Sequence, residues 1–107
     1  MPKCEKFYSP LEDVLAKPWH GVCWMNPPYG RAIGKWILKA CRETHIPGHA
    51  DRVVCLLPAR TDTRWWHDYV LKFASEIEFV RGRIKFVGAE NNAPFPSVIV
   101  VFEKSNA

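Results

Sequence analysis

Ten residues, Gly21-Val22-Cys23-Trp24-Met25-Asn26-Pro27-Pro28-Tyr29-Gly30, give the other elements of this chain their places. Gly21 to Met25 carries no charge and reads as a short strand. An apolar run of this kind predicts burial on both faces, as in a parallel sheet covered by helices. Pro27 and Pro28 end the strand, because neither can donate to a ladder. Beyond it stand an amide, a carbonyl between two locked φ angles and a phenol ring, closed by Gly30. Such a turn can hold a planar amino group. The Asn26 side-chain oxygen and the Pro27 carbonyl accept one N–H each, and Tyr29 offers a stacking face worth about 1–3 kcal/mol. The same residues are ordinary turn formers, so the turn alone does not decide between structure and chemistry.

Downstream, the spacing predicts a helix over 31–44. Ile33, Trp36, Ile37, Ala40 and Cys41 share one face, and Lys35, Lys39, Arg42 and Glu43 share the other. Pro47 and Gly48 stop it. A second buried strand lies within 52–57 and ends at Pro58. Thr61, Asp62 and Thr63 are N-cap candidates for a helix to about Ala74, with Trp66, Tyr69, Val70 and Phe73 on its apolar side and His67 as a surface or capping residue. Residues 77–80 and 84–87 read as strands paired across Arg81-Gly82-Arg83. The last strand is expected over 97–102. Upstream, residues 1–20 form a lead-in with three prolines and one helical turn at Leu11–Ala16. The order implies an α/β fold whose first two strands are parallel and whose closing strands give an antiparallel edge.

With 107 residues the chain reads as a single domain over 1–107. Hydrophobic residues at 48% and charged residues at 24% argue for a packed globule rather than disorder. No apolar run reaches the length of a membrane span and no signal-peptide pattern opens the chain, so no membrane association is expected and the cytoplasm is the expected location. Cysteines at 4, 23, 41 and 55 make no zinc-like spacing with the histidines, so no metal site is expected. Cys23 and Cys55, inside apolar strands, read as buried reduced thiols. The net charge of +4 permits nucleic-acid binding without demonstrating it. Arg81, Arg83 and Lys85 cluster in the hairpin, and Arg60 and Arg64 flank the turn after the second strand.

Several segments together resemble the phage and prophage DNA N6-adenine methyltransferases (the phage-type Dam family). They are Asn26-Pro-Pro-Tyr-Gly-Arg31 with Ile33 and Trp36, Leu57-Pro-Ala-Arg-Thr-Asp-Thr63 with Trp65-Trp66-His67, Arg81-Gly-Arg83 with Phe86, and Ala93-Pro-Phe-Pro-Ser97. They cover about residues 10 to 103 in the family's order. The resemblance implies a Rossmann-like S-adenosylmethionine-dependent methyltransferase fold, of which this chain carries the C-terminal portion of the sheet. The implied reaction transfers methyl from S-adenosylmethionine to adenine N6 in DNA, inside a bacterial host cell, on a base flipped from the duplex. Asn26, Pro27, Pro28 and Tyr29 carry over as catalytic residues, and Asp13 and Asn26 as cofactor contacts. Tyr29, Arg31, Arg60, Thr61, Asp62, Arg81, Arg83 and Lys85 carry over as substrate or DNA contacts. For Asp13 and the three hairpin cations, a solvated charge explains the residue equally well.

The chain departs from the family in one respect. A fold of this kind has a seven-stranded sheet, and no G-x-G loop follows any strand here. The expectation is that the cofactor-binding part precedes residue 1, so that a homo-oligomer or a missing N-terminal segment supplied in trans would complete the site. Two other functions stay open. One is methyl transfer to RNA or to a protein glutamine, since those groups also present a planar NH2. The other is a non-catalytic nucleic-acid-binding remnant of a methyltransferase.

Overall fold

The computed structural model describes residues 15–27, 30–82 and 95–104. Within them lie four strands and two helical runs. The strands are β1 (Gly21–Met25), β2 (Ala50–Pro58), β3 (Glu76–Phe79) and β4 (Ser97–Glu103). Helix α1 (Ile33–Glu43) joins β1 to β2. The run α2, residues 64–73, joins β2 to β3, and its middle, Trp66–Val70, is π-helical.

The four strands form one mixed sheet in the order β1-β2-β4-β3. β1 and β2 are parallel, with Cys23 opposite Val53 and Met25 opposite Cys55. β4 lies between β2 and β3 and runs antiparallel to both. The antiparallel pairing expected of the closing strands is therefore present, but the antiparallel strand is interior. The outermost strand, β3, runs the same way as β1 and β2. The expected partner strand at 84–87 lies outside the described residues, as do residues 11–14 of the expected first helical turn. Gly82, in the expected turn, has φ +77°.

Helical spacing explains α1. Ile33, Trp36, Ile37, Ala40 and Cys41 are all buried, and they pack with Cys23, Met25, Val53, Cys55, Leu57, Val98, Val100 and Phe102 from one face of the sheet. Each large side chain buried there contributes about 1.5–3 kcal/mol. Glu43, expected on the solvated face, is instead buried at 2% exposure. One of its oxygens, Oε1, accepts the Trp19 backbone N–H at 2.6 Å and His49 Nδ1 at 2.9 Å, and the other, Oε2, lies 3.4 Å from Lys39 Nζ. The carboxylate ties the lead-in and the loop after α1 to the helix end.

In α2 the wide π turn changes which residues face inward. Trp66 and Val70 are buried and Ala74 packs on the core, a spacing of four throughout. Phe73, expected inward, is rotated out and meets His45 edge-on at 5.4 Å. No side chain caps this helix. Thr63 Oγ1 donates to the Arg60 carbonyl at 2.7 Å, and His67 Nε2 donates to the Thr61 carbonyl at 2.8 Å, so the preceding turn is held from both ends.

β1 is not buried on both faces. Val22 and Trp24 are 53% and 60% exposed, while Cys23 and Met25 are buried. The helices described here cover one face only, and Val54, Leu56 and Ile99 share the opposite face with Trp24. Cys41 and Cys55 are free and buried. Cys23 is disulfide-bonded, which corrects the reduced thiol expected there. Pairing depends on where two backbones approach, and spacing along the chain does not show that. Among the described residues no helix is long and apolar enough to cross a membrane.

Candidate active site

β1 stops at Met25, and the next residue, Asn26, is exposed at the carboxyl end of the parallel pair while Pro27 is buried. A proline anchored in the core fixes φ at that step, so the residue before it is held in extended backbone. Gly30 then takes φ +127°, a region that side-chain-bearing residues avoid, and its carbonyl accepts the Ile33 N–H at 3.3 Å as α1 begins. The sequence Asn-Pro-…-Gly therefore turns the chain from strand to helix within a few residues. Pro28 and Tyr29 lie outside the described residues.

Asn26 borders a cavity of about 440 Å³. Its walls are mostly apolar, with Trp24, Val54, Leu56 and Ile99 from three adjacent strands. Sequence reading missed these wall residues, because an apolar strand residue reads as core wherever it falls. Trp24, an exposed aromatic, lines the same cavity as Asn26.

A second cavity, about 430 Å³, opens between the turns that follow β1 and β2. Here the fold brings together two of the expected contact residues, Arg31 and Arg60, with Thr63 and Trp65. Thr61 and Asp62 sit in the same turn, exposed, and line neither cavity. Arg81 is also exposed and lines neither. Asp13, Arg83, Lys85 and Phe86 lie outside the described residues. Phe95 is half-buried, and the Arg60 guanidinium sits 5.6 Å over its ring.

Of the two buried free thiols, Cys55 borders the Asn26 cavity and Cys41 borders neither cavity. Burial pushes Cys41 above the ordinary thiol value. Burial and then the neighbouring Cys41 push Cys55 further up, so it stays protonated and is a poor nucleophile.

An α/β layer with an amide at the carboxyl end of a parallel strand, between a mostly apolar cavity and one bordered by two arginines, has its openings where open sheets of this kind place ligands. The chain matches the family described as DNA N-6-adenine-methyltransferase (Dam) over residues 2–105, and it belongs to that family. Membership implies a methyltransferase, with DNA as the substrate at the level of the family. No curated protein and no solved structure gives a match.

Proposed function

We propose that this chain transfers a methyl group from S-adenosylmethionine to the exocyclic N6 of adenine in DNA, with Asn26 as the residue that holds the amino group. The observation that carries the reading is the exposed Asn26 at the carboxyl end of β1, on the rim of a cavity beside an exposed Trp24. The sheet, with parallel β1 and β2 and an inserted antiparallel β4, is compatible with the C-terminal portion of a Rossmann-like methyltransferase sheet.

Adenine N6 is a weak nucleophile because its lone pair is delocalised into the ring. Two acceptors, one per N–H, favour the pyramidal nitrogen that attack requires. The Asn26 side-chain oxygen is one and the Pro27 carbonyl the other. Both are neutral, so they position and polarise the amine without removing its proton first. Tyr29 stacks the base. These contacts offset the cost of extruding it from duplex DNA, a few kcal/mol.

The described residues fit the acceptor end of this reaction and not the whole donor. No acidic side chain lines either cavity to receive ribose hydroxyls, and Asp13, the expected acidic contact, lies outside them. When bound, S-adenosylmethionine supplies an electrophilic methyl on a sulfonium. The residues named above act on the amine alone.

The test is methyl transfer from labelled S-adenosylmethionine to adenine-containing duplex DNA, with RNA and a glutamine peptide in parallel. Transfer to N6 of DNA adenine supports the reading. Transfer to RNA or the peptide alone contradicts it, and DNA binding without any transfer indicates the non-catalytic remnant.

A further inference from the structure

The cationic cavity between the two turns has no role in the amine chemistry above. Arg31 borders it from the turn after β1, and Arg60 from the turn after β2. Among the described residues neither guanidinium is in an ion pair, and no carboxylate lines the cavity. Two uncompensated cations facing one small cavity repel each other, and an anion between them relieves that repulsion.

The walls are built to hold their shape. Arg60 N donates to the Pro58 carbonyl at 2.8 Å, and Thr63 donates to the Arg60 carbonyl through both N and Oγ1, at 3.3 and 2.7 Å. His67 clamps the same turn at Thr61. Phe95 lies under the Arg60 guanidinium. Trp65, 8% exposed, also lines the cavity, and a side chain at Gly34 would meet its ring at 4.0 Å, so the first turns of α1 and α2 are packed together. Two forked guanidinium donors, one of them carried on a braced turn, match the tetrahedral oxygens of a phosphodiester.

We propose that Arg31 and Arg60 jointly hold a single phosphodiester of the DNA strand that carries the target adenine, next to the extruded nucleotide. This rests on the DNA reading above and extends it. Flipping swings a nucleotide about its backbone, and a phosphate held from two elements serves as the fixed point of that swing. Asn26 and Arg31 sit on the same turn, on either side of Gly30, so the held phosphate sets how far the base reaches.

The experiment measures binding of a random-sequence duplex across a salt series by wild type, the pair Arg31→Gln/Arg60→Gln and the pair Arg31→Lys/Arg60→Lys. Each phosphate neutralised contributes about 0.9 to the slope of log K against log salt. One shared phosphate makes the Gln pair shallower than wild type by about 0.9. The Lys pair keeps the wild-type slope while binding several-fold more weakly. An unchanged slope in the Gln pair overturns the clamp and leaves the methyl-transfer reading standing. A loss of about 1.8 means two separate phosphates and overturns the shared one. A Lys pair as shallow as the Gln pair shows a structural role and also overturns it. Wild type that binds no DNA overturns the DNA reading and the clamp together. Both arginines are exposed, and an unchanged urea midpoint confirms that the variants are folded.

Discussion

Asn26 was legible at the residue scale because its two proline neighbours forbid strand continuation and so place it at a strand end. The cavity beside it was not legible, since it takes Val54, Leu56 and Ile99 from strands whose register the sequence does not show. The clamp was half legible. The resemblance marks Arg31 and Arg60 as contacts, and it includes Trp65 without giving it a role. The buried thiols give a pH signature of their own. Cys55 keeps its proton in the fold well above the ordinary thiol value of 9.0. As pH rises past that value the unfolded chain releases the proton and the folded chain does not, so stability falls by about 1.4 kcal/mol per pH unit for each such thiol. Urea midpoints between pH 8 and 11 are expected to drop more steeply for wild type than for Cys55→Ala, and parallel curves would contradict the assignment.

Among the elements, periodicity gave α1 and its buried face, and the apolar runs gave β1, β2, β3 and β4 to within two residues. It failed where a long-range partner decides. Glu43 falls on the polar side of α1 by spacing, with Lys39 one turn before it, and its burial involves the lead-in residue Trp19, 24 positions away. The π turn of α2 has no signal in residue type either, and it alone moves Phe73 outward. Glu43→Ala leaves the Trp19 N–H and His49 without their acceptor and is expected to cost about 3 kcal/mol, the lower end for a broken buried pair because Lys39 and His49 are partly exposed. Glu43→Gln keeps an acceptor oxygen and should lose clearly less. Urea denaturation measures both, and equal losses would mean that the carboxylate serves only to fill space.

At the scale of the whole molecule, the sequence implied a sheet covered on both faces, whereas the described residues cover one. The difference has a direct consequence for mutation. Trp24→Lys, on the open face, is expected to change stability by no more than about 0.5 kcal/mol. Met25→Lys, one residue along and in the core, places an unpaired charge among apolar side chains and is expected to prevent folding. Thermal unfolding of the two proteins checks this, and a comparable loss in both would mean that the face bearing Trp24 is covered.

Amino-group methylation at Asn26 is the claim on which the account stands. The decisive measurement is the rate of labelled methyl transfer to adenine N6 in duplex DNA by wild type and by Asn26→Ala, with DNA binding followed in the same samples. The expected result is unchanged binding with transfer slowed by about 10²–10³-fold, the scale of losing one preorganised hydrogen-bonding group at a reacting centre. Equal transfer rates in the two proteins would contradict it.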